Sequence, residues 1–346
     1  MLRKKIISVI EYLFFLGLGI LLLWLSVRKL DLSAIWADIE QARYSWLFFA
    51  LFFALVSHTF RALRWNLLIE ALGYKTRLSS TFFAVMFGYL VNTAVPRMGE
   101  LARCGVLSKK EKIPFNALFG TVISERIFDL TILAVLIFFV VIFQLDLLGD
   151  FLNRNFGPLL QSLFSNRYSI LILALILIGT LGSIAYLIWA YREKIKKLKI
   201  YEPLRKFLDG LWVGIKTIKN MKQKGLFLFY TLLIWFFYAV MVYLPFFMLP
   251  ETSHLDFIDG LTVLAIGSLG IVAPVPGGIG AYHYIVKVTL TELYRVEANA
   301  AMSFATISHA GQTLLNVLVG ALSYFLLGIL SKKQKPLNEQ SGDHQK

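Results

Sequence analysis

Charge is scarce in this chain and cysteine is nearly absent. Of 346 residues only 16% are Asp, Glu, Lys or Arg, and Cys104 is the one thiol. A single cysteine excludes an internal disulfide framework. The five histidines are scattered, and no Cys/His group has metal-ligand spacing. The stretch "GLWVGIKT" from Gly210 lacks the adjacent Gly-Lys pair of a nucleotide-binding P-loop. There is no nucleophile elbow. The longest connection between apolar runs, residues 192–224, is too short to house a soluble catalytic domain. No cofactor and no metal are expected.

What the chain has instead is apolar length. Hydrophobic residues make up 58% and aromatic residues 15%, and the mean hydropathy is +0.68. That composition is a polytopic membrane protein's. Lipid offers the backbone no hydrogen bonds, so spans must be helices or a closed barrel, and long runs without period-2 alternation exclude the barrel. The fold class is therefore all-α. The opening "MLRKK" followed by an apolar run at 6–27 reads as a retained signal anchor. The net charge of +14 gathers in a few connections, as topology determinants do, so the membrane surface is the expected partner and nucleic acid is not.

Six long apolar segments lie at 6–27, 46–67, 127–145, 168–191, 226–249 and 310–330. Two more, 79–95 and 257–293, are broken by Pro and Gly. Residues 192–224 carry eleven Lys/Arg against Glu193, Glu202 and Asp209, so this connection belongs in the cytoplasm. Eight plain spans would put it outside. If both broken segments enter and return on the same side, every basic connection falls inside. The sequence thus predicts six full transmembrane helices plus two re-entrant helical hairpins, a multi-pass cell-membrane protein with both termini cytoplasmic. One transmembrane domain is expected over 1–330, with a disordered tail at 331–346.

The two halves, about 1–145 and 168–330, repeat the same order of parts with an offset near 180 residues. Pro96 of "AVPRMG" falls on Pro276 of "PVPGGIG", and Asp129 on His309. An odd number of crossings in each half makes the second copy inverted, a transporter design in which broken helices aim backbone N–H groups and dipole ends at a ligand. The candidate substrate-binding residues follow from it. Arg97, Glu100 and Arg103 are spaced by three and are expected on one helical face, the arginines gripping phosphate or simply anchoring the hairpin tip. Glu125, Arg126 and Asp129 open the 127–145 span, with Asp129 about one turn inside, as functional groups or as a structural ion pair. Pro276, Gly277, Gly278 and Gly280 allow close backbone approach to a ligand, and His283 follows. His309 lies on a polar stripe with Thr306, Gln312 and Asn316, which a helix-helix hydrogen bond also explains. Arg61 and Arg64 are expected to snorkel to headgroups, or else to meet lipid phosphates.

The motifs "RALRWNLLIEALG", "GYLVNTAVPRMGELAR", "SERIFDL" and "PVPGGIGAYH", in that order over about residues 6–330, resemble the transmembrane flippase-like region of the lysylphosphatidylglycerol synthase/flippase family. The resemblance implies a domain that moves an amphipathic lipid between leaflets, such as an aminoacylated phospholipid or a polyprenyl-linked precursor. Two departures stand out: many relatives have a glutamate near the position of His283, and no aminoacyl-transferase domain is present, so lysyl transfer is not expected. A lipid translocase is the leading reading. A membrane-embedded transferase acting on a lipid phosphate and a noncatalytic partner of an envelope-synthesis enzyme are the alternatives, and homo-oligomerisation stays open.

Overall fold

The computed structural model describes residues 2–164, 221–272 and 275–333. Every regular element among them is helical. The chain divides into two compact units, Met1–Val140 with Gly214–Lys346, and Val141–Val213. The expected span at 168–191, most of the basic connection after it, Pro274 and the tail beyond 333 lie outside the described residues.

Helices α1 (Leu2–Val27) and α2 (Leu32–Gln41) meet at a bend of 91°. The Asp31 carboxylate starts α2 by accepting from the backbone N–H groups of Ser33 and Ala34, which otherwise have no helical acceptor. Helix α3 (Tyr44–Glu70) has 27 residues, about 40 Å at 1.5 Å per residue, more than the hydrocarbon layer's depth of roughly 30 Å. It stops where Gly73 turns left-handed at φ +86° and donates back to Glu70 at 2.9 Å.

Helices α4 (Leu78–Ala94) and α5 (Gly99–Glu111) pack on one another as a helical hairpin. Pro96 ends the first arm by forcing Val95 into an extended conformation, φ −128° and ψ 113°. The Met98 N–H then donates to the Val95 carbonyl at 3.3 Å across Pro96 and Arg97, whose φ is +63°. Proline second and a left-handed residue third is the pattern of a type II turn. Asn92 caps the returning arm by accepting from the Gly99 N–H at 2.7 Å. The arms come so close that a Cβ on Gly99 would overlap the Gly88 carbonyl oxygen.

Helix α6 (Phe115–Phe143) follows Pro114. In the second unit, α7 (Leu145–Phe164) is the described helix. Helix α8 (Lys224–Tyr243) runs through Pro245 into two short 3₁₀ turns. Helix α9 (Phe257–Val272) begins with a reciprocal cap, in which the Asp259 and Asp256 N–H groups each donate to the other's carboxylate at 2.9 Å. After the turn Pro276–Gly278 comes α10 (Ala281–Val288), extended by a π turn, and then α11 (Ala298–Lys333). Glu297 caps α11 through the N–H groups of Asn299 and Ala300.

Among the described residues four helices are long and apolar enough to cross a membrane: α3, α6, α8 with its continuation to Met248, and α11. The bent α1–α2 pair raises the number to five, while α4 and α9 are shorter apolar helices. Helices α3 to α6 start at 44, 78, 99 and 115, and α8 to α11 at 224, 257, 281 and 298, about 180 residues later. The proline turns match as well. Val275 is extended, φ −103° and ψ 143°, the Gly278 N–H donates to its carbonyl at 3.1 Å, and Gly277 has φ +59°. One core gathers around Phe246, Met248, Val286 and Phe304. The other, around Trp65, Leu68, Cys104, Leu107, Leu118 and Phe227, walls in the charged groups described next.

Candidate functional site

Arg61 and Arg64 project from α3 at a spacing of three, so both face the same neighbours. They do not snorkel outward: both are buried, and their partners are the carboxylates of α6. This corrects the expectation that they reach headgroups. Arg61 Nε donates to Glu125 Oε1 at 2.7 Å and a terminal nitrogen donates to Asp129 Oδ2 at 2.6 Å. Its other terminal nitrogen is held by the hydroxyls of Tyr89 on α4, at 2.8 Å, and Tyr238 on α8, at 2.7 Å. Arg64 donates to Asp129 Oδ1 at 2.7 Å and to Thr231. Arg103, from α5, donates to Glu125 Oε2 at 3.1 Å, with its guanidinium 4.6 Å from the centre of the Trp65 ring. All four carboxylate oxygens of Glu125 and Asp129 therefore accept from arginine.

Arg126 differs from the other three. Its side chain is 42% exposed, and it approaches Glu100, Glu125 and Asp129 only at 3.7, 3.6 and 3.9 Å. Its Nε is buried without a hydrogen bond. Counted together, Arg61, Arg64, Arg103 and Arg126 face Glu100, Glu125 and Asp129, which leaves one positive charge in excess, and the half-exposed guanidinium is where that charge meets the surroundings. Such a group offers a planar fork of donors to an anion.

The sequence places Asp129 about one turn inside its span. In the structure α6 begins at Phe115, so Asp129 sits near mid-helix. Arg97, Glu100 and Arg103 do not share a helical face, because Arg97 lies in the turn with φ +63° while Glu100 and Arg103 are on α5. The structure brings these two together with Glu125, Arg126 and Asp129. Sequence reasoning missed the central role of Arg61, Arg64, Tyr89 and Tyr238. The available signal was two arginines three apart in one apolar helix and two carboxylates four apart in another.

The remaining candidates form a second group. His309 Nε2 donates to the Gly277 carbonyl at 2.9 Å, and the buried His283 ring lies 4.8 Å from that of His309. The turn Pro276–Gly278 packs against α4 and α1. Gly280 is left-handed, and a Cβ there would overlap the Gly19 carbonyl oxygen, while Gly277 lies against the Thr93 backbone. Thr93 is one turn along α4 from Tyr89, about 6 Å of rise. The second turn and the arginine cluster thus meet the same helix one turn apart. Beside the cluster, Ile132, Leu136, Leu232, Trp235, Phe236 and Leu261 line an apolar groove of about 220 Å³. It starts one turn from Asp129 on α6 and from Tyr238 on α8.

Comparison with known proteins agrees with this picture at the level of the family. The chain is 22% identical over 340 residues to the UPF0104 membrane protein MJ1595 of Methanocaldococcus jannaschii, covering 94% of this chain and 95% of that protein. It is 24% identical over 241 residues to the UPF0104 membrane protein MJ1078 of the same organism, covering 68% and 94%. No solved structure matches. The family described as lysylphosphatidylglycerol synthase TM region matches residues 9–320, nearly the whole of the described helices. The chain belongs to that family of membrane regions.

Proposed function

We propose that the protein is a lipid translocase of the cell membrane, moving an anionic or aminoacylated phospholipid or a polyprenyl-linked lipid between leaflets. The observation that carries this reading is the surplus positive charge ending at the half-exposed Arg126, with an apolar groove whose first α6 residue, Ile132, lies six residues further along the same helix. The headgroup's phosphate meets Arg126 while a hydrocarbon chain lies along Ile132 and Leu136. The matched Pro96 and Pro276 turns and the offset of about 180 residues support an inverted repeat, with six spans, two re-entrant hairpins and cytoplasmic termini. The second turn, docked one turn along α4 from Tyr89, gives the headgroup further backbone groups on its path.

The transferase alternative is weaker. A general base needs an oxygen directed at the substrate's proton, whereas each oxygen of Glu125 and Asp129 is already taken by an arginine. These carboxylates serve to hold the arginines.

The test uses the purified protein in liposomes with a headgroup-labelled phosphatidylglycerol and a membrane-impermeant quencher. Arg126→Ala is expected to abolish movement while leaving the protein folded. Loss of label asymmetry at an unchanged rate removes Arg126 from the mechanism. Chemical modification of the lipid favours the transferase, and neither movement nor modification favours the partner role.

A further inference from the structure

We infer that α2 is an in-plane membrane helix whose exposed Leu32 and Trp36 seat in the boundary between phospholipid headgroups and acyl chains. Three of the candidate spans end around it. Helix α3 begins at Tyr44. The Arg43 N–H donates at 3.0 Å to the carbonyl of Met248, where the span that contains α8 ends. The Asp31 N–H donates at 3.1 Å to Asn299 Oδ1, and the Ser303 hydroxyl meets Asp38 Oδ2 at 2.7 Å, both within the first two turns of α11. The two ends of α2 are thus tied to one membrane face. With its 26 residues α1 reaches about 39 Å, enough to cross the hydrocarbon layer. A helix turned 91° from it runs along that face and not through the bilayer.

Around the axis of α2 the side chains fall into three sectors. Ile35 is buried on the protein side. At about 100° per residue, Leu32 and Trp36 lie together beside it, and Ser33, Glu40 and Gln41 follow on the far side. Leu32 is 64% and Trp36 61% exposed, and the three polar residues are exposed as well. Water alone disfavours the first sector and hydrocarbon alone the second, so a helix that carries both belongs at the interface. The indole fits that place. Trp36 Nε1 donates to Glu40 Oε1 at 2.7 Å, which turns the polar edge of the ring toward the polar sector and leaves the rest of it apolar. Trp24, one turn before the end of α1, and Phe48, one turn into α3, are also exposed, so the elements on either side of α2 present apolar side chains to lipid. Two side chains fall far short of the roughly 800 Å² per partner that a stable protein interface covers, which favours lipid over a second copy or another protein. The inference rests on the membrane location of the family and on no step of translocation.

The test uses the full-length protein in nanodiscs of phosphatidylcholine and phosphatidylglycerol, which leave both membrane faces open to solutes. A bimane fluorophore is placed on Trp36→Cys or, as the water-facing control, on Gln41→Cys; Cys104 is buried and stays unlabelled. The quenchers are aqueous iodide and nitroxide lipids labelled either just below the headgroup or near the chain end. At Trp36→Cys the shallow nitroxide should quench at least about twofold more than the deep one, and iodide at least about twofold less than at Gln41→Cys, as for an apolar face seated about 5–10 Å into the boundary. Equal iodide quenching at the two positions puts the sector in water. Quenching by the deep nitroxide as strong as by the shallow one makes the α1–α2 pair a broken span. Protection from all three quenchers means that protein covers the face. Each of these results overturns the proposal. The unlabelled protein gives a second reading that no label can disturb. The signal of Trp36, taken as the difference between wild type and Trp36→Phe, should be quenched by lipids brominated near the top of the acyl chain, and a difference signal that these lipids leave unchanged overturns the proposal as well.

Discussion

Replacing Glu125 by glutamine removes a charge and almost no volume, so the variant isolates the electrostatics of the cluster. Glu125 is fully buried. Its oxygens lie 2.7 Å from Arg61 and 3.1 Å from Arg103, with Arg64 and Arg126 at 3.6 Å. In the native protein four guanidinium groups face three carboxylates; in Glu125→Gln they face two. Removing one partner of a buried ion pair leaves the other charge uncompensated, which costs about 3–5 kcal/mol. Arg126→Ala acts on the same cluster, but its side chain is 42% exposed and its closest carboxylate is 3.6 Å away, so screening holds its cost below about 1 kcal/mol. Adding Arg103→Leu to Glu125→Gln restores the original excess of one positive charge. The double variant should recover part of the loss, with a coupling of about 1–3 kcal/mol. The assay is reversible unfolding in mixed detergent micelles, followed by tryptophan fluorescence for the wild type, both single variants of the pair and the double variant. If Glu125→Gln costs no more than Arg126→Ala, or if the two changes at 125 and 103 simply add, the ion network is not what holds α3, α5 and α6 together.

Three further outcomes follow from the geometry. Gly280→Ala meets the Gly19 carbonyl and a left-handed backbone and should lose at least about 2 kcal/mol in the same unfolding assay. Gly105→Ala, on α5 with nothing within 4 Å of its added methyl, should gain roughly 0.5–1 kcal/mol. The Asp31 carboxyl is held below its ordinary pKa of 3.8, first by the Ser33 hydroxyl and then by the Ser33 and Ala34 N–H groups. Its cap on α2 is therefore complete above that value and is lost as pH falls through the lower folded pKa. Hydrogen exchange of α2, corrected for its intrinsic pH dependence, should follow this curve and lose it in Asp31→Asn. The six-span arrangement predicts that Lys222→Cys labels only from the cytoplasmic side and Asp256→Cys only from outside. The native Cys104 is buried and stays silent.

Hydropathy found the apolar helices because their composition is local information. Their ends were less legible. The 127–145 span begins where charge stops, yet α6 starts at Phe115, since Glu125 and Asp129 remain inside a helix once α3 and α5 supply arginines. The same long-range pairing hid Arg61 and Arg64. Near the end of an apolar run an arginine is read as reaching water, and nothing within α3 announces partners more than sixty residues away. Glu125, Asp129 and Arg103 were legible as charged groups that need a reason. Their mutual geometry was not. The proline turns were readable in kind, because proline fixes the backbone around it. Arg97 was misplaced because spacing by three describes a helical face only if all three residues are helical, and Pro96 puts Arg97 in the turn.

Stability alone does not call for seven charged side chains in this position. Apolar replacements of buried ion clusters are often neutral or stabilising by about 1–4 kcal/mol, so a helical core of Trp65, Leu107 and Phe227 would hold these helices without them. The arrangement also fails to cancel its own charge. The surplus is not hidden: it is carried to Arg126, whose donors make no close bond in the protein. A free anion would need only that guanidinium, and a hydrocarbon would need only the groove lined by Ile132 and Leu136. On α6 Ile132 and Leu136 follow Arg126 by six and ten residues, about two to three turns, and under the proposed function the molecule that uses both features has a charged head joined to an apolar chain. The joint geometry therefore favours an amphiphile over a soluble anion, and the liposome assay with Arg126→Ala tests that preference directly.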